Sequence, residues 1–143
     1  MANTGYSGTP LAKKLGIKEG FKIRLVNHPG YYFKLFDDLP SNVIIEIDKN
    51  IKKNLIHFFT KDASELNDNI VLLRNEIEVD GMIWISWPKK ASKILTDITE
   101  DTIRNLALKN GLVDIKVCAI DEIWSGLKLV IPVKDRIALR DET

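Results

Sequence analysis

Two apolar runs that flank one amphipathic segment constrain the fold of this chain most strongly. Leu55–Phe59 and Met82–Trp87 are almost continuously apolar, which is typical of strands covered on both faces of a sheet. Such a strand–helix–strand unit predicts parallel pairing with a right-handed crossover. Asp62 with Glu65 forms a candidate capping box at the start of the helix. The helix is predicted over about 62–76 by apolar residues at helical spacing, namely Leu66, Ile70, Leu73 and Ile77.

The remaining elements extend the same alternation. Thr9 and Pro10 suit the start of a short helix that Gly16 ends, and Thr99 caps a later helix that ends at Gly111. We therefore predict an α/β fold, a Rossmann-like and mostly parallel sheet with a C-terminal antiparallel hairpin. The other predicted segments are the strands Lys22–Asn27 and Val43–Ile47, a short helical segment within Tyr31–Leu39, a turn at Asp80–Gly81, and a hairpin of Asp114–Ile120 and Leu127–Val133 around the turn Asp121–Gly126.

The composition is that of an ordinary globular protein. Hydrophobic residues make up 45% and charged residues 29% of the 143 residues, which at this length allows a core without disulfide or metal staples. Basic residues number 21 and acidic residues 20, for a formal net charge of +1, so the chain lacks the basic excess of most nucleic-acid binders. The single cysteine, Cys118, favours a reducing, cytoplasmic compartment. We expect a flexible arm over 1–8, one domain over 9–143 and no membrane segment.

The second half of the sequence, Leu55–Val133, resembles that of class I methyltransferases, which have a Rossmann-like fold. In both, a helix leads through a turn to a buried strand, and a further helix leads into a terminal hairpin. The resemblance implies S-adenosylmethionine bound on a glycine-rich loop after the first strand, with an acidic residue ending the second. Here that loop, Asn27–Tyr31, has one glycine and contains no G-x-G-x-x-G motif. Asp48, which follows the second predicted strand, could stand in for the acidic residue.

A closer resemblance extends over nearly the whole chain. Four segments resemble the signature segments of a small bacterial family described only as a domain of unknown function. This resemblance implies no activity. The segments are Gly5–Ala12, Trp87–Ser92, Thr96–Asp97 and Asp121–Leu127.

A functional site is expected at the carboxyl ends of the parallel strands, where open α/β sheets bind ligands. The loops His28–Tyr32, Thr60–Asp62 and Trp87–Asp97 follow three predicted strands. If Asp114–Ile120 is parallel to them, the turn Asp121–Gly126 lies at the same end. The two most unusual segments, W-P-K-K-A-S-K and D-E-I-W-S-G, would then face each other.

The loop after the buried strand has the residue types of an anion site. Lys89, Lys90 and Lys93 bring three positive charges together, and a helix N-terminus with free N–H groups follows. A solvated loop with ordinary surface lysines is the simpler alternative. The candidate ligand-binding residues are Lys89, Lys90, Ser92, Thr96, Asp97, Thr99, Trp124, Ser125 and His28.

Other chemically capable residues have structural interpretations beside functional ones. Trp87 and Trp124 could stack on a planar ligand or bury their rings. Asp121 and Glu122 could be paired carboxylates or simply a charged turn, and no histidine near them supports a metal site. His57 is interpreted as structural and Cys118 as a small buried hydrophobe. No catalytic residue, metal or cofactor is predicted.

The sequence favours a non-catalytic binding module for a small anionic ligand or a protein partner at the carboxyl ends of the strands. One alternative is a divergent methyltransferase-like transferase, which the fold pattern favours. A second is nucleic-acid binding through the loop Trp87–Asp97, called the lysine loop below, which the balanced net charge disfavours. The sequence does not determine the oligomeric state.

Overall fold

The computed structural model describes residues 8–141, so the arm predicted over 1–8 lies outside the described residues apart from Gly8. Two 3₁₀ segments, Tyr32–Leu35 and Lys90–Ser92, connect regular elements. Those elements are, in chain order, α1 (Leu11–Leu15), β1 (Lys22–Val26), β2 (Ile44–Ile45), β3 (Lys53–Phe59), α2 (Ala63–Glu76), β4 (Ile77–Pro88), α3 (Glu100–Lys109), β5 (Val113–Ala119), β6 (Trp124–Val130) and α4 (Val133–Asp141).

The six strands form one sheet in the order β2-β1-β3-β4-β6-β5. The first four strands in that order pair in parallel, and β6 pairs antiparallel with both β4 and β5. The mostly parallel α/β sheet with a C-terminal hairpin is therefore confirmed. Since β5 runs parallel to β4, the turn that follows β5 lies at the carboxyl ends of the parallel strands.

Helices pack on both faces of the sheet. On one face, α2 and α3 bury Leu66, Ile70 and Ile103 against the strand residues Phe58 and Ile85. On the other face, α1 and the aromatic segment after β1 pack over a smaller cluster around Leu15, Leu55 and Trp84. The indole Nε1 of Trp84 donates to the carbonyl oxygen of Leu15 at 2.9 Å, which fixes α1 to the sheet.

The largest departures from the predicted elements concern β4 and the end of the chain. Asp80 and Gly81 lie inside β4, and Gly81 is buried there. A Cβ at this position would come to 3.0 Å from backbone carbonyl oxygens, and glycine in a strand often marks such a close approach. The last strand begins at Trp124 and ends at Val130, not at Leu127 and Val133. Helix α4 was not predicted, because the apolar run into Val133 was interpreted as strand although Pro132 lacks the N–H that would extend it.

Of the caps predicted for α2 and α3, only the cap of α3 forms. The Asp62 side chain makes no cap bond to α2; instead Asp97, from a distant loop, accepts from the N–H of Ala63 at 2.8 Å. At α3 the predicted cap is confirmed, since Thr99 Oγ1 accepts from the N–H of Thr102 at 3.2 Å. Helix α1 begins at Leu11, one residue later than predicted, and ends at Gly16 with φ of 82°.

No helix within residues 8–141 combines the length and the apolar character that crossing a bilayer requires.

Candidate functional site

The two unusual segments lie side by side at the carboxyl edge of the sheet. Pro88, the last residue of β4, pairs with Trp124, the first residue of β6. Beyond the ladder, the N–H of Lys89 donates to the carbonyl oxygen of Ile123 at 2.8 Å. The lysine loop and the hairpin turn are thus joined by backbone hydrogen bonds.

The loop after β3 joins the same edge. Thr96 Oγ1 donates to the carbonyl oxygen of Lys61 at 2.6 Å. Asp97 donates its own N–H to that carbonyl at 3.4 Å and accepts from Ala63 N–H. Residues 93–99 therefore fold over the start of α2, and their polar side chains fix this position.

An open pocket of about 620 Å³ lies between the lysine loop and the start of α3. Its volume is within the range of about 300–1,000 Å³ that ligand pockets occupy. Lys90, Thr96, Asp97 and Thr99, all candidates from the sequence, line it. The lining also includes Trp87 and Lys93, considered from the sequence as a stacking ring and as a loop charge. Its other members were not candidates: Pro88, Ile94, Leu95, Ile98 and Glu100.

The hydroxyl groups of this region are engaged in local structure. Ser92 Oγ donates to the carbonyl of Lys89 at 2.6 Å and accepts from the N–H of Ile94 at 3.2 Å. Thr96 Oγ1 bonds Lys61, and Thr99 Oγ1 caps α3. Thr96 and Thr99 therefore line the pocket with hydroxyl groups that already have partners in the protein.

The ammonium groups of Lys90 and Lys93 are the polar groups of the pocket that remain available to a ligand. Lys90 and Lys93 are exposed, and neither ammonium forms an ion pair within the part of the chain that the structure describes. Lys93 also has a left-handed backbone, with φ of 61°, which costs a non-glycine residue about 1–2 kcal/mol. Backbone strain of this kind clusters at functional sites.

The apolar wall of the pocket is unusually exposed. Leu95 is 93% exposed to solvent, and Ile94 beside it is 37% exposed. Trp87 and Ile98, by contrast, are buried in the core. The pair Ile94-Leu95 directly after a lysine was the available sequence signal, but only the folded loop turns Leu95 outward.

Five candidates from the sequence do not line the pocket: Lys89, Ser92, Trp124, Ser125 and His28. Trp124 is half-buried and packs edge-on against Phe59, with ring centroids 5.1 Å apart. Ser125 lies within β6, opposite Trp87. His28 is exposed after β1 and contacts the ring of Tyr32. The predicted site residues therefore share one edge of the sheet but not one cavity.

The carboxylate of Asp121 organises the hairpin turn. Its Oδ1 accepts from the N–H groups of Ile123 and Trp124 at 2.8 and 2.7 Å. Its Oδ2 accepts from the hydroxyl of Tyr31 at 2.6 Å. With both oxygens occupied in this way, Asp121 has a structural role, while Glu122 beside it is exposed.

A buried polar chain lies beneath this edge. Tyr32 hydroxyl and His57 Nδ1 are 2.9 Å apart, and His57 Nε2 and Ser86 Oγ are 2.8 Å apart. Burial lowers the pKa of His57 to about 3, with a smaller contribution from the charge of His28. Burial also raises the pKa of the Tyr32 phenol. His57 is therefore neutral, which agrees with its structural interpretation.

The remaining candidates carry no chemistry that the geometry supports. Burial raises the pKa of the Cys118 thiol, although Lys14 and Lys116 act in the opposite direction, so the thiolate that reactions require is disfavoured. Within residues 8–141 no three histidine, cysteine or carboxylate side chains are grouped as metal ligands.

Several solved structures with a similar fold are described as methyltransferases. An S-adenosylmethionine-dependent methyltransferase from Clostridium acetobutylicum matches with a TM-score of 0.57 and 8% identity, over 84% of this chain and 87% of the other. The ribosomal protein L11 methylase from Lactobacillus delbrueckii subsp. bulgaricus matches with a TM-score of 0.53 and 14% identity, over 84% and 74%. These identities show a methyltransferase-like fold and nothing of the activity.

A protein described as a pericyclic reaction enzyme also matches, with a TM-score of 0.55 and 11% identity. The match covers 92% of this chain but 50% of the other, so the present chain spans about half the length of that enzyme. No curated protein matches the sequence.

A family model described as a protein of unknown function, DUF3052, matches residues 34–133. That range contains β2 to β6 and every residue that lines the pocket. It confirms the resemblance to a family of unknown function, and this chain belongs to the DUF3052 family.

Proposed function

We propose that this protein is a non-catalytic binding module whose ligand is a small amphipathic anion, held in the pocket between the lysine loop and α3. One observation carries the proposal. Two lysines without ion-pair partners in the described chain, Lys90 and Lys93, line the same pocket as the almost fully exposed Leu95. Such a pocket offers charge for one end of a ligand and an apolar wall for the other.

The balance of available charge favours an anion. The pocket lining also includes Asp97 and Glu100. Asp97 accepts a backbone hydrogen bond at α2, and Glu100 forms an ion pair with Arg104. The two ammonium groups therefore keep more of their attraction for a ligand than the two carboxylates do.

The apolar wall supports a ligand with a hydrophobic body. Covering a leucine side chain completely contributes about 1.5–3 kcal/mol, and Leu95 begins almost uncovered. The pocket has the volume of about twenty water molecules at ~30 Å³ each. A carboxylate or phosphate head with an alkyl body of moderate length matches both features.

Thermal unfolding with matched ligands tests the proposal. The probes are octanoate and octyl phosphate, with octanol as the neutral match and inorganic phosphate as the head group alone. A ligand at a hundredfold its dissociation constant stabilises by about 2.7 kcal/mol, which for this chain raises Tm by about 5–10 °C. We expect the two amphipathic anions to raise Tm well above the effect of octanol or phosphate.

Paired variants place the effect on the pocket. Lys90→Ala/Lys93→Ala should remove most of the shift, because it removes the anion's partners without touching the core. Lys34→Ala/Lys109→Ala, which removes two exposed lysines elsewhere, is the matched control and should keep it. Equal shifts in both double variants, or equal shifts with octanol and octanoate, would contradict the proposal.

A divergent methyltransferase-like transferase is the second candidate, supported by the fold of its structural neighbours. Adding S-adenosylmethionine to the same assay separates the two. A shift with S-adenosylmethionine that survives Lys90→Ala/Lys93→Ala would favour the transferase. A shift with short oligonucleotides that falls steeply with salt would instead favour nucleic-acid binding.

A further inference from the structure

A second pocket lies away from the lysine loop, between β1, β3 and the C-terminal half of α2. Its volume is about 190 Å³, the space of about six water molecules. Arg24 from β1, Lys49 from the loop after β2, and Glu76 at the end of α2 line its polar side. We propose that this pocket binds a small branched carboxylate through Arg24 and Lys49.

The charges around Glu76 leave a positive surplus. Arg24 Nη1 reaches Glu76 Oε1 at 2.5 Å, and Lys53 Nζ reaches Glu76 Oε2 at 2.7 Å. Lys53 is fully buried, and Glu76 is only 5% exposed. One carboxylate thus lies between two cations, and burying an uncompensated charge is costly. An anion at the pocket completes the compensation.

Arg24 has donors left for that anion. A guanidinium carries five N–H donors in a planar fork, and within residues 8–141 Arg24 uses only Nη1, toward Glu76. The side chain is 23% exposed, so a small solute can reach it. A planar carboxylate is the anion that matches such a fork in a bidentate manner.

Lys49 adds a second positive charge, exposed and without an ion pair in the described chain. Asn69 and Asn75 also line the pocket, and its remaining four residues are apolar and suit a short branched hydrocarbon. Val26, Phe58 and Leu73 belong to the core or pack against it. Leu72, on the outer side of α2, is 59% exposed. A carboxylic acid with four or five carbons in all fits a pocket of this volume, which equals that of about six water molecules.

Isovalerate and its neutral isostere isovaleramide are the probes, titrated into the full chain and followed by nuclear magnetic resonance. The resonances to follow are the Nε–Hε pair of Arg24 and the methyl groups of Val26 and Leu72. We expect isovalerate to shift them saturably and isovaleramide to leave them in place. Absence of saturation, or equal shifts with the amide, would overturn the proposal.

Arg24→Lys is the decisive variant, because it keeps a positive charge beside Glu76 and removes the planar fork. It should weaken isovalerate binding about tenfold, the effect of one lost charge-assisted hydrogen bond. Binding as tight as in the unchanged protein would overturn the assignment. If the variant fails to fold by circular dichroism, Lys49→Ala replaces it, with the same expected loss and the same refuting result.

Lys34→Ala, an exposed lysine elsewhere, should bind isovalerate unchanged. Lys90→Ala/Lys93→Ala should do so as well, because that pair lines the other pocket. Loss of isovalerate binding in either control would overturn the assignment to Arg24 and Lys49. The two pockets are in this way tested independently.

Discussion

The hydroxyl of Tyr31 donates to Oδ2 of Asp121 at 2.6 Å, across 90 positions of the sequence. This bond fastens the loop after β1 to the hairpin turn after β5. The same carboxylate accepts the N–H groups of Ile123 and Trp124, so the bond connects the loop to the group that shapes the turn.

Tyr31→Phe should lower the free energy of unfolding by about 1–2 kcal/mol, since it removes a hydrogen bond to a charged, half-buried acceptor. Asp121→Ala should cost more, because it also leaves two backbone N–H groups without their acceptor. Urea unfolding of the two single variants and the double variant measures this. Purely additive effects would mean that the two residues are not coupled.

Acid should destabilise the protein through His57. Its pKa is about 3 in the folded chain, lowered first by burial, and about 6.5 in the unfolded chain. Above pH 6.5 both forms are neutral at this position. Between pH 6.5 and 3 only the unfolded chain takes up the proton, so the free energy of unfolding falls by up to about 1.4 kcal/mol per pH unit.

The matched variant is His57→Gln, compared with the unchanged protein between pH 7.5 and 5, above most carboxylate titration. The variant should be less stable at pH 7.5, because its hydrogen bonds to Tyr32 and Ser86 are disturbed, but its stability should depend less on pH. The same pH dependence in both proteins would show that His57 is protonated in the folded state.

Lys93→Gly should stabilise the protein by about 1 kcal/mol, because glycine adopts the observed φ of 61° without strain. The same change should weaken binding of octanoate, since it removes one of the two pocket lysines. Lys90→Ala is the comparison, which removes a charge without relieving strain. A Lys93→Gly protein that gains stability and still binds octanoate fully would exclude a role for Lys93 in binding.

Gly81→Ala should destabilise by about 1–3 kcal/mol, because the added Cβ would lie 3.0 Å from the carbonyl oxygens of Glu78 and Lys53. Neither oxygen belongs to a flexible side chain that could move away. Gly30→Ala, where no atom lies within 4 Å of the added Cβ, should be close to neutral. Thermal unfolding of both variants measures the difference, and equal Tm values would show that β4 shifts to accept the methyl group.

The apolar periodicities largely determined the fold. Leu66, Ile70 and Leu73 predicted the buried face of α2, and all three are in the core. The alternation of strands and helices predicted the parallel sheet, because a helix between two buried strands leaves few ways to pair them. The capping of α3 by Thr99 was also predictable, since a cap lies within three residues of its acceptor.

The candidate site was predicted only in its location. The edge of the sheet follows from strand direction, which placed the lysine loop beside the hairpin turn. The composition of the pocket did not follow, because Lys90 and Leu95 line it while Trp124 and His28 do not. Which side chains share a cavity depends on how a loop folds, and no periodic pattern encodes that.

The sequence by itself determined the order of the elements up to β6, the buried faces of the main helices and the sheet edge where loops gather, because these depend on interactions over a few residues and on strand direction. Tertiary structure decided the contacts between distant segments. Asp97 accepts a hydrogen bond at the start of α2, Tyr31 donates to Asp121, and Glu76 pairs with both Arg24 and Lys53. Each of these joins residues that are far apart in the chain. Their pairing exists only once the sheet has brought the elements together, and the two proposed pockets depend on the same assembly.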